Sequence, residues 1–383
     1  PVFYDSPKYE FNQAMELFQK EKYGSAQQYF KYVYENTSDK QQDIKSNSYF
    51  YMGVCAANLY NNDAIFLLKD FVRQYPVHAF VPEANYFLGK FFFYKKQYKK
   101  AIEHYELIDE RQIKKEDLAE YKFKKGYSYF CTDELDKAKA LLNEARNNEG
   151  PYRLRAVYYL AHIAYEEKQY QAALEDFELL KNEIEYRDIV PIYISQIYFL
   201  QGRYAELIKT ATPLLNNQSA KNQPEMNRII GLSHYNLGKY EAALPYFENY
   251  VSSTKEEIAK NDLFAIGYSL YETQNYQKSI EYLSKTTKDK DTLAQNSFYI
   301  IGDCYLHLNQ LALASQSFLE ASKLDYNSEI KEDALYNYAK LQFATSSSPF
   351  NSAIKALENY INEYPNSSRS EEANSYLSSI YLS

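Results

Sequence analysis

Residues 82–105 read PEANYFLGKFFFYKKQYKKAIEHY. Tyr86, Leu88, Phe91 and Phe92 recur at helical spacing around a single small residue, Gly89. The polar run Lys95-Lys96-Gln97 then breaks the pattern, and Ala101 and Tyr105 open a second helical stripe. A glycine inside a helix costs about 0.5–1 kcal/mol relative to alanine. That cost is expected where a second helix crosses so closely that a Cβ would hold the two apart, with Ala101 as the matching contact. The stretch therefore reads as a helix hairpin, helix A followed by helix B.

The same phase recurs along the chain. Small anchors fall at Ala14, Gly53, Gly89, Gly126, Ala161, Ser195, Gly231, Gly267, Gly302 and Ala339, at intervals of 34 to 39 residues, and six of the ten glycines occupy it. Partner positions are Ala26, Ala64, Ala101, Ala138, Ala173, Ala243, Ser279, Ala314 and Ala353, with Leu207 the exception. Four residues on come Phe30, Leu68, Tyr105, Leu142, Phe177, Phe247, Leu283, Phe318 and Leu357. One hairpin cannot bury its apolar stripe alone, so the period predicts stacking. The expected fold is all-α, a right-handed solenoid of about ten hairpins in one continuous array over 1–383. Repeats are expected near 7–38, 46–76, 82–113, 119–150, 154–187, 188–220, 224–255, 260–290, 295–327 and 332–365, with a terminal helix at 370–382. The sixth repeat should be weakest, because Pro213 falls inside its B helix and should kink it.

Composition agrees and narrows the function. Tyr supplies 43 residues and Phe 22, with no Trp, while Gly and Pro together are only 21 of 383. A formal charge of −8 with mixed signs gives no case for nucleic acid or anionic membrane, and no run of 18 apolar residues suggests membrane insertion. The five His (His78, His104, His162, His234, His307) show no metal-ligand spacing, and the three Cys (Cys55, Cys131, Cys304) form no CxxC pair. All three Cys fall beside or one turn after an anchor and are expected in the core, as is a satisfied His234. Phosphate-binding glycine loops and nucleophile–base motifs are missing, so no enzyme, metal or cofactor is expected. The triplets Asn36-x-Ser38, Asn217-x-Ser219 and Asn366-x-Ser368 fit a glycosylation pattern and read as incidental.

The pattern Tyr86-x-Leu88-Gly89, Tyr98-x-x-Ala101, Tyr105, repeated as Ile230-Gly231, Tyr240-x-x-Ala243, Phe247, resembles the tetratricopeptide repeat. The turns Tyr75-Pro76 and Tyr364-Pro365-Asn366-Ser367, followed by Glu83-Ala84-Asn85-Tyr86 and Glu372-Ala373-Asn374, are similar to repeats of Gram-negative envelope proteins. Examples are the repeat lipoprotein of the barrel-assembly machine and the periplasmic coordinator of the Tol–Pal system. That resemblance implies a periplasmic or outer-membrane-associated scaffold, with the cytoplasm as the alternative. The terminal helix keeps the repeat motif and the chain opens on Pro1, so an excised piece of a longer exported protein is expected. Its apolar stripe is Ala373, Tyr376, Leu377, Ile380 and Tyr381, with Ser378 in the anchor phase.

Family geometry implies that A-helix residues three before and four after each anchor project into a concave groove. The candidate partner-binding set takes Phe123, Tyr158, Tyr165, Phe199, Arg228, Tyr235, Tyr271 and Tyr299 from these phases and adds Tyr127 and Tyr268, one residue after their anchors. Tyrosine offers a large apolar face with a hydroxyl at low entropy cost, which suits a protein or extended peptide. A carbohydrate or small ligand is the alternative. The family's clamp for acidic C-termini needs Lys and Asn on the first A helix, where this chain has Phe11 and Met15, so a carboxylate-clamp chaperone partner is not expected.

Overall fold

A computed structural model describes residues 6–217, 222–347 and 350–382. Among them are twenty-one α-helices and no strand. The hairpins are α1 (Pro7–Gln19) with α2 (Tyr23–Asn36), α3 (Gln42–Asn58) with α4 (Asp63–Gln74), α5 (Val81–Tyr94) with α6 (Tyr98–Glu106), α7 (Leu118–Cys131) with α8 (Leu135–Arg146), and α9 (Arg153–Glu166) with α10 (Tyr170–Leu180). Then follow α11 (Val190–Leu200) with α12 (Tyr204–Ala211), α13 (Gln223–Asn236) with α14 (Tyr240–Ser253), α15 (Lys260–Glu272) with α16 (Tyr276–Leu283), α17 (Thr292–His307) with α18 (Leu311–Ser322), and α19 (Ser328–Thr345) with α20 (Asn351–Glu363). A last helix, α21 (Ser370–Tyr381), stands in an A position. The all-α succession of ten hairpins and a terminal helix is therefore what the sequence period specifies.

Contacts divide the chain into two compact units, Pro1–Asn182 and Glu183–Ser383. Within each, helices pack on their sequence neighbours, and A helices also meet the next A helix, as α3 meets α5 and α15 meets α17.

The anchor glycines hold the hairpins together in a way the spacing only partly indicates. A Cβ on Gly231 would lie 2.8 Å from Cδ1 of Phe247, and one on Gly267 would lie 2.7 Å from Cγ of Leu283. Gly53, Gly89, Gly126 and Gly302 face Leu68, Tyr105, Leu142 and Phe318 in the same manner. The space above each glycine is thus filled by the bulky residue of helix B. The small residue at the partner phase supplies none of the nearest atoms. Ser279 shows its role most clearly, donating its hydroxyl to the Gly267 carbonyl at 2.8 Å.

Every A-to-B turn carries one residue in the left-handed region. Nine sit seven residues after the anchor: Glu21, Tyr60, Lys96, Asp133, Lys168, Gly202, Gly238, Gln274 and Asn309. The tenth, Phe350, caps the start of α20. The next residue's N–H closes the helix end, as Gln97 N–H does on the Phe92 carbonyl (2.9 Å) and Asn275 N–H on Leu270 (2.8 Å). Only two of these turns use glycine.

Several expectations are corrected. Pro213 ends the sixth B helix and does not kink it. α12 stops at Ala211 and a 3-10 helix, Thr212–Asn217, takes over, because the proline has no N–H for the Lys209 carbonyl. Pro245 does lie within a helix, α14, where it removes the donor to the Glu241 carbonyl. Cys55 and Cys304 are buried as expected, but Cys131 closes α7 and is exposed. Tyr381 is also exposed, so the stripe of α21 reduces to Ala373 and Ile380 flanked by half-buried Tyr376 and Leu377. His234 stacks on Tyr246 with centroids 5.5 Å apart, yet its Nδ1 finds no partner. Ser219 of the second glycosylation triplet lies outside the described residues.

Candidate interaction surface

The two groove phases separate in depth. Three residues before the anchor, Phe50, Tyr86, Phe123, Ile192 and Tyr336 are buried, while Tyr158, Arg228, Phe264 and Tyr299 stay half-buried. Four residues after it, Phe93, Phe130, Tyr165, Phe199, Tyr235, Tyr271 and Phe343 are all half-buried. Phe123, expected in the groove, is a core residue at 5 % exposure, packed on Tyr152 at 5.3 Å. Ala57, four residues after Gly53 in α3, is buried.

In the first unit, Tyr127 gathers Phe93 (5.6 Å), Tyr98 (5.6 Å) and Tyr159 (4.6 Å) edge to face. Tyr158 meets Tyr159 at 5.2 Å, and Tyr165 meets Tyr170 at 6.1 Å. Beside them lies a buried charge cluster. Lys124, 2 % exposed, donates to the Tyr94 hydroxyl at 3.0 Å and pairs with Glu120, which Lys90 also reaches at 3.2 Å. Burial lowers the Lys124 pKa; burial would raise that of Glu120, but the two lysines outweigh it and hold the carboxyl below its usual range.

In the second unit, Phe199 meets Tyr204 at 5.4 Å. Tyr235 touches Tyr240 (5.9 Å) and Tyr268 (6.1 Å). Tyr268 continues the row to Phe264 and Tyr271, and Tyr271 continues it to Tyr276. Tyr276 stacks flat on His307, with centroids 4.4 Å apart. Two tyrosines spend their hydroxyls on the next A helix. Tyr271 donates to Asp303 at 2.7 Å and Tyr299 donates to Asp333. Burial and these carboxylates push both phenols up, so they act as neutral donors. Arg228 is likewise engaged, with Glu225 (2.8 Å) and buried Asp262 (3.4 Å).

One regularity here escaped the sequence reading. The residue six before the anchor is a carboxylate at Glu120, Glu225, Asp333 and Glu372. These four are reached from the preceding A helix, by Lys90, Gln196 (3.2 Å), Tyr299 and Lys340 (3.5 Å), whereas Glu83, at the same offset, pairs with Lys114 after its own hairpin (2.7 Å). A carboxylate at a fixed offset was the available signal. These links pin successive A helices in register and leave the aromatic row as the surface.

The Ser–His contact between Ser46 and His78 cannot activate a nucleophile. Phe80 N–H donates to His78 Nδ1 at 3.1 Å, so the neutral ring carries its proton on Nε2, 3.2 Å from Ser46 Oγ. That nitrogen donates to the hydroxyl and cannot take its proton. Among the described residues no helix is long and apolar enough to cross a membrane.

Tetratricopeptide repeat family models match residues 296–328 and 333–367, which are the hairpins α17–α18 and α19–α20. The chain carries tetratricopeptide repeats. Among solved structures it is similar to YrrB, described as a tetratricopeptide repeat protein with an unusual peptide-binding site (16 % identity, 53 % of this chain and 100 % of that one, TM-score 0.42). It is also similar to the C-terminal part of a repeat protein from Cytophaga hutchinsonii (12 %, 74 % and 97 %, 0.41) and to a tetratricopeptide repeat protein from Parabacteroides merdae (15 %, 69 % and 98 %, 0.40). Such distant likenesses concern architecture alone. No curated protein matches the sequence.

Proposed function

We propose that the chain is a non-enzymatic scaffold whose A-helix face binds an extended segment of a partner protein. The observation that carries this reading is the half-buried aromatic row four residues after the anchors. Seven of its members, from Phe93 to Phe343, keep part of a ring exposed although the core below is already filled. Rigid aromatic anchors of this kind dominate recognition surfaces, because they bury much area for little entropy. Edge-to-face contacts join Tyr235 to Tyr268, Tyr240 to Tyr268 and Tyr127 to Tyr159, so the row offers ring edges as well as faces to a protein segment. Work at the cell envelope belongs to the same proposal, on the resemblance of the Tyr75-Pro76 and Tyr364-Pro365 turns; fractionation of the native host tests it.

The test of the scaffold is recovery of partner protein from host cells by the tagged full chain. Tyr165→Ala and Tyr235→Ala should lose the partner while the melting temperature moves by a few degrees. Leu179→Ala, on the exposed face of α10, should keep it. Retention by both tyrosine variants would reject the A-helix face.

A further inference from the structure

The A helices of the two units differ in charge. Those of the first unit carry six carboxylates and eight Lys or Arg. Those of the second carry nine carboxylates and four Lys or Arg. Seven of the eight net negative charges of the protein lie in the second unit. On α13, α15 and α17 the two bases are already spent. Arg228 is held by Glu225 and Asp262, and Lys260 by Asp289 (3.1 Å) and Asp291 (2.6 Å).

Two carboxylates beside the aromatic row form no ion pair with a Lys or Arg among the described residues, although Lys239 lines the same cleft as Glu272. Glu272 is exposed at the end of α15, next to Tyr271. Asp303, 29 % exposed, accepts from Tyr271 and lies 3.5 Å from His307, with no other partner among the described residues. Around them stand half-buried Tyr268, Tyr271 and Tyr276. An open cleft lined by Lys239, Tyr240, Leu244, Glu272 and Asn275 leads along the same edge. Aromatic faces next to carboxylates outside any Lys or Arg ion pair are what a Lys or Arg side chain seeks, one by cation–π attraction and the other by a charge-assisted hydrogen bond.

We infer that the second unit docks a cationic, extended segment of its partner along α13, α15 and α17, with a Lys or Arg seated between Tyr271, Glu272 and Asp303. The inference rests on the proposed A-helix face and adds the charge of the segment that fills it. Complementary charge also sets the encounter rate and suppresses acidic competitors.

The test uses the full chain and three fluorescein-labelled twelve-residue peptides, repeats of Lys-Pro-Leu, Gln-Pro-Leu and Glu-Pro-Leu, all extended by their prolines. Anisotropy should show the Lys peptide binding at least tenfold tighter than the Gln peptide, with no saturation by the Glu peptide, and weakening as salt rises. Glu272→Gln with Asp303→Asn should reduce Lys-peptide affinity about tenfold, whereas Glu248→Gln on α14 should not. Equal binding of the Lys and Gln peptides, both lost in Tyr271→Ala, would overturn the charge inference and leave the A-helix face standing. Lys-peptide binding untouched by the double variant and by Tyr271→Ala would overturn both. No binding by any of the three would overturn the inference, and partner recovery would then judge the face separately.

Discussion

Gln295 grips Asn327 by both of its backbone polar groups. Its Nε2 donates to the Asn327 carbonyl at 3.1 Å, and its Oε1 accepts the Asn327 N–H at 2.7 Å. The same fully buried amide donates to the Leu324 carbonyl at 2.7 Å, and Asn327 in turn caps α19 through the N–H groups of Glu329 and Ile330. One side chain therefore closes the turn between α18 and α19 and fixes where the next A helix starts. Gln295→Leu would strand several backbone groups away from water, at about 1–3 kcal/mol each. The second unit should lose about 3 kcal/mol or more in urea unfolding; a loss under 1 kcal/mol would mean that water replaces the amide.

Gly267 and Gly24 should respond in opposite directions to the same change. An alanine Cβ at Gly267 would meet Leu283 Cγ at 2.7 Å and its backbone nitrogen at 3.3 Å, so overpacking costs about 1–3 kcal/mol. Gly24, inside α2, has nothing within 4 Å, and alanine there should gain about 0.5–1 kcal/mol of helix propensity. Thermal melts of the two single variants check both signs.

The turns offer a second pair. Gly238 sits at φ 69° and Gln274 at φ 63°, in equivalent turns. Left-handed backbone costs a residue with a Cβ about 1 kcal/mol or more. Gly238→Ala should therefore destabilise and Gln274→Gly should stabilise, each by about 1 kcal/mol. Equal melting temperatures for wild type and both variants would show that the turns relax.

His104 should make the first unit acid-sensitive. Its Nδ1 lies 2.9 Å from Asn85 Oδ1, its ring stacks on Phe92 at 5.5 Å, and burial, aided by Lys69, lowers its pKa to about 4. The unfolded chain takes up that proton near pH 6.5, the folded chain only near 4. Stability from this group is full above pH 6.5 and declines as pH falls through that window, by about 3 kcal/mol in total. Between pH 7 and 4 wild type should lose about that much more than His104→Phe; parallel curves would show the imidazole to be hydrated.

The fold was legible because one small residue recurs in one phase: close helix crossings leave a mark that a single sequence can show. The polar links were not, since Gln295 and Asn327, or Arg228 and Asp262, are distant in sequence and of types common on any surface. Depth within the groove was hidden for a related reason. Phe123 and Tyr271 are both A-helix aromatics at groove phases, but Phe123 stands at the deeper one, where Tyr152, Tyr127 and Tyr159 pack on it, while Tyr271 stays half-buried. The left-handed turn position was hidden because Glu21, Tyr60 and Lys96 hold it where glycine would have advertised it.

Which face of the hairpins meets the partner can be measured without knowing that partner. A photo-crosslinking amino acid replaces Tyr165, Tyr235 or Tyr271 on the A helices, or the exposed Tyr29, Phe66 or Leu179 on the B helices, and the native host is irradiated. The account predicts one discrete crosslinked protein from the A-helix positions and none from the B-helix positions. The same protein captured from the B-helix positions, with the A-helix positions silent, would contradict it.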